Sequence, residues 1–298
     1  LDYHKEALAL RQKSQTSEGG RAGADPELAA SYNSIARVQR RLHKEDEAIK
    51  ADKQAIDIYT VAYGPTHSET GAAVRGLAMS LAAKGDYAAA LAILTKYHDT
   101  NVKIQGAEHP SNAEYLRAIA GNEIKLGRRD EAAAHLAKAL KVAVRDRDKE
   151  SILRDEGRLH MQNGDYATAI AKLQESMSKP DPQRTLRSKL LLAQALTCAG
   201  QVTEAEQLAL QVLSTSQDEA LRMQGQHQTS SYEKDSTDIA RARQSLGFIF
   251  EQQGKYEEAL PHLNAARESS ERTEDLFETA ASLIGISRVH AALAQREI

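Results

Sequence analysis

The chain has 298 residues, enough for two ordinary domains or one extended array. Its composition, 4% aromatic and 27% charged with six prolines, favours many packed helices over a sheet protein. A net charge of −3 gives no global basis for nucleic-acid or membrane binding, and the single cysteine, Cys198, excludes an intrachain disulfide and a cysteine-rich metal site.

Taken in chain order, residues 1–15 read as the second helix of a partial repeat, because Tyr3-His4-Lys5-Glu6-Ala7-Leu8 matches signatures found later. The pattern is already under way at Leu1, so the chain reads as a piece of a longer protein. A Gly-rich loop follows over 17–24, and Asp25-Pro26 marks a helix start, with Asp capping free amides and Pro fitting the first turn. The first full repeat, 28–62, pairs helices over about 28–42 and 45–62; Tyr32, Ile35, Ala36 and Gln39 share one helical stripe. Gly64-Pro65 stops it, and Thr66-x-x-Glu69 has the form of a capping box.

Further repeats are predicted over 68–103, 110–146, 149–178, 183–213 and 236–270. The spacer Asp25-Pro26-Glu27-Leu28-Ala29 returns as His67-Ser68-Glu69-Thr70-Gly71 and as His109-Pro110-Ser111-Asn112-Ala113, each copy 42 residues after the last. A signature Ala recurs at 48, 90, 132, 169, 205 and 259, so the later intervals are 37, 36 and 54. A fixed period of this size marks a repeat solenoid. The long interval holds an insertion over 214–235, rich in Gln and Ser, predicted as a loop with a short helix over 219–223. A last amphipathic helix over 274–295 would cap the stack.

A first helix, a Gly turn and then Tyr-x-x-Ala resembles the tetratricopeptide repeat, carried most clearly by Gly85-Asp86-Tyr87 with Ala90, Gly164-Asp165-Tyr166 with Ala169, and Gly254-Lys255-Tyr256 with Ala259. The 42-residue spacing and the spacers Gly64-Pro65-Thr66-His67 and Gly106-Ala107-Glu108-His109-Pro110 resemble the kinesin light chain subtype. The resemblance implies an all-α, right-handed superhelical solenoid, with the first helix of each repeat lining an inner groove that binds peptides or a partner's helix. In kinesin light chains that groove takes acidic cargo peptides, helped by an Asn-Asn-Leu-Ala segment. Here Asn33-Ser34-Ile35-Ala36 keeps one Asn, while the equivalent segments are Arg75-Gly76-Leu77-Ala78 and Arg117-Ala118-Ile119-Ala120.

One first-helix position therefore reads Asn33, Arg75, Arg117, Arg154, and then Leu190 and Gln244. It lies off the apolar stripe, and Arg37, Arg158, Arg187 and Arg241 occupy neighbouring positions. Arginine forks suit carboxylates, so these residues form the candidate peptide-binding groove; the plainer alternative is a basic face paired with acids of adjacent helices. Glu156 and His160, four apart, read as a locally satisfied pair, His67 and His109 as helix-capping residues, and Cys198 as a buried structural thiol. No metalloprotease, phosphate-loop, nucleophile-elbow or dinucleotide motif occurs, so no catalytic residue, cofactor or metal is expected. The apolar run 190–199 is too short to span a bilayer. A basic groove without interleaved aromatics is a poor site for nucleic acid. The expected protein is a cytoplasmic, non-enzymatic adaptor or scaffold that holds a partner segment containing acidic residues. The alternatives are an architectural scaffold that assembles with itself or a large complex, and a sensor that closes on a signalling peptide.

Overall fold

The computed structural model describes residues 25–178, 182–224, 229–272 and 275–296, so the partial repeat predicted over 1–15 and the loop over 17–24 lie outside the described residues. Regular structure among the described residues is entirely helical. The helices are α1 (Pro26–Arg41), α2 (Glu45–Tyr63), α3 (Ser68–Ala83), α4 (Tyr87–Gln105), α5 (Asn112–Lys125), α6 (Arg129–Val142), α7 (Asp146–Gln162), α8 (Tyr166–Ser176), α9 (Pro182–Cys198), α10 (Val202–Gln224), α11 (Thr229–Gln252), α12 (Tyr256–Arg272) and α13 (Leu276–Arg296). Paired in order, α1 to α12 make six helix–turn–helix repeats. Two compact units result, 25–152 and 153–296, with the division inside α7.

Local chemistry sets the helix ends. The amides of Glu27, Ala89 and Thr168 donate to the side chains of Asp25, Asp86 and Asp165 at 2.9, 2.9 and 3.2 Å, satisfying amides that the first turn leaves open. Between paired helices the chain reverses through a left-handed residue: Gly85, Gly127, Gly164, Gly200 and Gly254 have φ between 72° and 88°. In the first repeat the same place, five residues before the signature Ala, is held by His43 with φ 52°.

The 42-residue register has a structural counterpart. After Gly64 and Gly106, at φ 89° and 93°, the fully buried Thr70 and Asn112 reach back to those glycine carbonyls at 2.8 and 2.9 Å. Thr70 and Asn112 stand 42 apart, as do the two glycines, so one hydrogen bond per spacer fixes how each repeat follows the last. The capping box predicted at Thr66 does not form. His67 is the N-cap of α3, its Nδ1 accepting from the Glu69 amide at 3.3 Å, while the Thr66 hydroxyl accepts from Gln105 at 3.3 Å.

In the first unit, α1 touches α3 and α3 touches α5, besides each helix packing on its own partner. The six signature alanines are all fully buried, because the two helices of a repeat cross closely there. Four residues on, Leu94, Leu136, Leu173 and Leu263 fill the space between helices; burying each contributes about 1.5–3 kcal/mol. Asp52 occupies that slot in the first repeat, 1% exposed. Arg40 Nη1 donates to Asp52 at 2.8 Å, to the Ser80 hydroxyl at 2.8 Å and to the Gly76 carbonyl at 3.2 Å, and Ser80 donates to Asp52 at 2.5 Å. Gly76 makes room for this network, since a Cβ there would stand 2.9 Å from the Asp52 carboxylate.

The polar segment 214–235, predicted as a loop, is instead drawn largely into helix. α10 runs on to Gln224 and α11 begins at Thr229, giving helices of 23 and 24 residues. Gln, Glu, Arg, Leu and Met are good helix formers, and low hydrophobicity alone does not break a helix that neighbours already support. At the other end of the second unit, α13 packs on α12 and α11, with Val289 fully buried.

Candidate functional site

Within the first unit, nine first-helix positions repeat at intervals of 42. Ala30, Ala72 and Glu114 form one row, Asn33, Arg75 and Arg117 the next, and Arg37, Met79 and Gly121 the third. Successive rows are three and four residues apart, which sets them along one side of α1, α3 and α5. Ala30, Ala72, Arg37, Met79 and Gly121 are exposed, and Met79 is 61% exposed. Nothing lies within 4 Å of where a Cβ on Gly121 would be, so packing does not demand that glycine. Together these positions make a shallow surface of small side chains and one adaptable methionine, edged by arginines.

The arginines on this surface differ in their engagements. Arg75 on α3 pairs with Glu114 on α5, with 28% and 32% of the two side chains exposed, and its guanidinium stands 5.9 Å from the centre of the Tyr115 ring. Tyr115 is buried, which pushes its hydroxyl pKa up, and the Arg75 charge works against that rise. A Cβ on Gly71 would stand 2.9 Å from the Tyr115 hydroxyl and 3.3 Å from an Arg75 nitrogen, so only glycine leaves both side chains in place. Glu114 is shared. Its second oxygen pairs with Arg145, in the turn before α7, and Arg145 Nε also holds Asp148 at 2.7 Å. Hydrogen bonds to Asp148 and Glu114 raise the pKa of Arg145. Sequence reasoning missed Arg145, which lies outside the first helices; its one local signal was the pairing with Asp148 three residues on.

Other predicted site residues are placed as follows. Asn33 hydrogen-bonds Tyr59, countering the rise in the tyrosine pKa that burial causes, so this asparagine ties α1 to α2. Arg37 is exposed and Arg117 half-buried. In the second unit, Arg154 is half-buried and Arg187 exposed, while Arg158 pairs with Asp155 at 3.4 Å. Arg241 on α11 donates to Glu278 on α13 at 2.6 Å and lies 3.8 Å from Asp238. Arg75, Arg158 and Arg241 thus already carry a carboxylate of their own chain, the arrangement given above as the plainer alternative.

The remaining sequence expectations divide. Glu156 and His160 do not pair with each other: Glu156 forms an ion pair with Lys172 at 2.9 Å and His160 meets Asp165 at 3.1 Å, each partner coming from α8 or its turn. His109 accepts from the Ser111 amide at 3.3 Å and so steadies the turn into α5, although the N-cap itself is Ser111. Cys198 is exposed rather than buried, because helical periodicity turns the last residue of α9 outward. No group of three or more His, Cys, Asp or Glu side chains among the described residues is arranged to hold a metal ion. No helix among them is long and apolar enough to cross a membrane.

Comparison with known proteins agrees with this architecture. One tetratricopeptide repeat model matches residues 27–101 and 72–143, and a second matches 117–184 and 154–220. No curated protein matches the chain. Among solved structures, a Rap protein complexed with Competence and Sporulation Factor is 13% identical over 97% of this chain and 81% of its own, with a TM-score of 0.55. The Cut9–Hcn1 hetero-tetramer of APC/C gives 14% identity over 96% of this chain and 46% of that chain, with a TM-score of 0.58. A kinesin light chain from Podosopora anserina with nearly identical TPR-like repeats is 21% identical over 84% of this chain and 98% of its own, with a TM-score of 0.41. At these identities the first two likenesses are likenesses of fold.

Proposed function

The chain belongs to the tetratricopeptide repeat family, a family of protein-interaction modules rather than enzymes, and we propose that its first unit binds an extended segment of a partner protein across α1, α3 and α5. The observation that carries this reading is the nine-position surface. Small or flexible residues at Ala30, Ala72, Met79 and Gly121 leave room for a main chain, and Arg37, Arg75 and Arg117 offer forks for acidic side chains. Packed helices lie about 8–10 Å apart, so three rungs span about 16–20 Å, the reach of roughly five or six extended residues. The partner segment is therefore a short acidic peptide. A Rap protein of the same fold, solved complexed with Competence and Sporulation Factor, fits an array that holds a separate partner.

The test is a titration of labelled hexaglutamate, with hexaglutamine as control. Changing Arg75 and Arg117 together to Ala should weaken hexaglutamate by about tenfold or more, and raised salt should weaken the wild type. Lys at both positions should recover only part of the loss, because a point charge does not reproduce the planar fork. Gly121→Phe should fill the open space and weaken binding without lowering the melting temperature. Unchanged affinity in folded variants would reduce the arginines to a paired surface and favour the architectural reading.

A further inference from the structure

Each oxygen of Glu114 is taken by a different arginine, Arg75 from α3 and Arg145 from the turn before α7. Both guanidiniums are also held by contacts independent of Glu114. Arg75 lies against Tyr115 and over Gly71, and Arg145 is bound through two of its nitrogens by Asp148, at 2.7 and 3.2 Å. If Glu114 swung away, the two forks would keep their places. Glu114 itself is about one-third exposed and sits at the open edge of the nine-position surface, so its return to water is easy.

We propose that Glu114 is an internal stand-in for an acidic side chain of the partner, and that Arg75 and Arg145 form a two-arginine clamp that the partner's carboxylate enters by displacing it. This rests on the reading of the first unit as a site for an acidic segment, and it adds Arg145 as a binding residue. The exchange replaces one carboxylate by another at the two forks, so neither arginine is left unpaired at the end. Asp52, Glu278 and Glu108 differ from Glu114. Asp52 is buried at 1% exposure and Glu278 has 10% of its side chain exposed, so neither gives way to a ligand. Glu108, which pairs with Lys141 at 3.3 Å, is exposed but has a single flexible partner. The consequence is selectivity: a neutral peptide gains nothing by displacing Glu114, whereas an acidic one recovers both pairs.

Hexaglutamate affinity should be compared in the wild type, Glu114→Gln, Glu108→Gln, Arg145→Ala and the Glu114→Gln/Arg145→Ala double variant. Circular dichroism would verify the fold of each; all three residues are at least partly exposed, so the changes spare the core. Removing the internal competitor should tighten hexaglutamate about fivefold, while Glu108→Gln, with the same change in net charge, should move it less than twofold. Arg145→Ala should weaken binding severalfold and abolish the gain from Glu114→Gln. Equal tightening by Glu114→Gln and Glu108→Gln, or a gain that survives loss of Arg145, would overturn the clamp while leaving the acidic-peptide reading intact. No binding of hexaglutamate by the wild type or by Glu114→Gln would overturn both.

Discussion

In the first unit Arg75 meets Glu114 with 28% and 32% of the side chains exposed, whereas in the second Arg241 meets Glu278 with 29% and 10% exposed. Glu278 is further enclosed by Gln244, whose amide, in the orientation that satisfies both ends, donates to it at 3.1 Å and accepts from the Ser282 amide at 3.3 Å. The same residue pair joins first helices in both units, but only one of the two carboxylates is shut away from water. Burial, rather than the presence of an ion pair, decides whether a contact is structural or exchangeable.

The largest expected effect comes from the most buried case, the Arg40–Asp52–Ser80 network of the first unit. Arg40→Ala leaves Asp52 without a cation in a slot where four other repeats place Leu, and should cost about 3–5 kcal/mol in urea unfolding at about pH 7. Burial is the largest influence on Asp52 and raises its pKa, with Ser80 and Arg40 opposing. A carboxyl raised on folding contributes most below its unfolded pKa and loses that contribution as pH rises through the folded one. Without Arg40 the folded value rises further. The loss should therefore shrink as pH falls toward the ordinary carboxylate range, where the proton does the work of the missing cation. A deficit that does not change with pH would mean that Asp52 stays charged and finds another partner.

A middle-sized pair of measurements addresses the two arginines directly. Arg241→Ala should destabilise the protein by about 2–4 kcal/mol, because Glu278 remains enclosed, and Arg75→Ala by only about 0–1 kcal/mol. Thermal and urea unfolding of both variants would give the ratio. Equal losses would erase the distinction between a structural and an exchangeable pair, and with it the basis for treating Arg75 as available to a partner.

How far the sequence exposes these features depends on how local their causes are. The repeat frame is legible because each turn needs a left-handed residue, and glycine supplies it at 85, 127, 164, 200 and 254. The signature alanines are legible because close helix crossing excludes anything larger. The arginine row could be read from its period, but not its engagement: Glu114 and Glu278 lie on the next first helix, far from Arg75 and Arg241 in sequence, where no local pattern reports them. Arg145 escaped notice for the same reason. The extension of α10 and α11 through a Gln- and Ser-rich stretch was hidden because polarity distinguishes exposed from buried, not helix from loop.

The smallest expected effect concerns the one repeat that breaks the turn rule. His43 adopts φ 52°, where an L side chain crowds its own carbonyl, at the place where the other repeats carry glycine. It is exposed, and its Nδ1 lies 3.8 Å from Glu45, too far for a hydrogen bond, so little compensates the strain. His43→Gly relieves that strain, of about 1–2 kcal/mol, against the greater freedom glycine gives the unfolded chain, about 0.5–1 kcal/mol. The net expectation is a gain of about 0.5–1 kcal/mol, read as a higher urea midpoint with unchanged slope. The reverse change at an equivalent turn, Gly85→His, should lose a similar amount, since nothing crowds that position and only the backbone objects. If His43→Gly instead destabilises, the histidine ring must contribute more to the α1–α2 turn than its weak contact with Glu45 suggests. The first repeat would then owe its departure from the glycine rule to that contribution and not to tolerated strain.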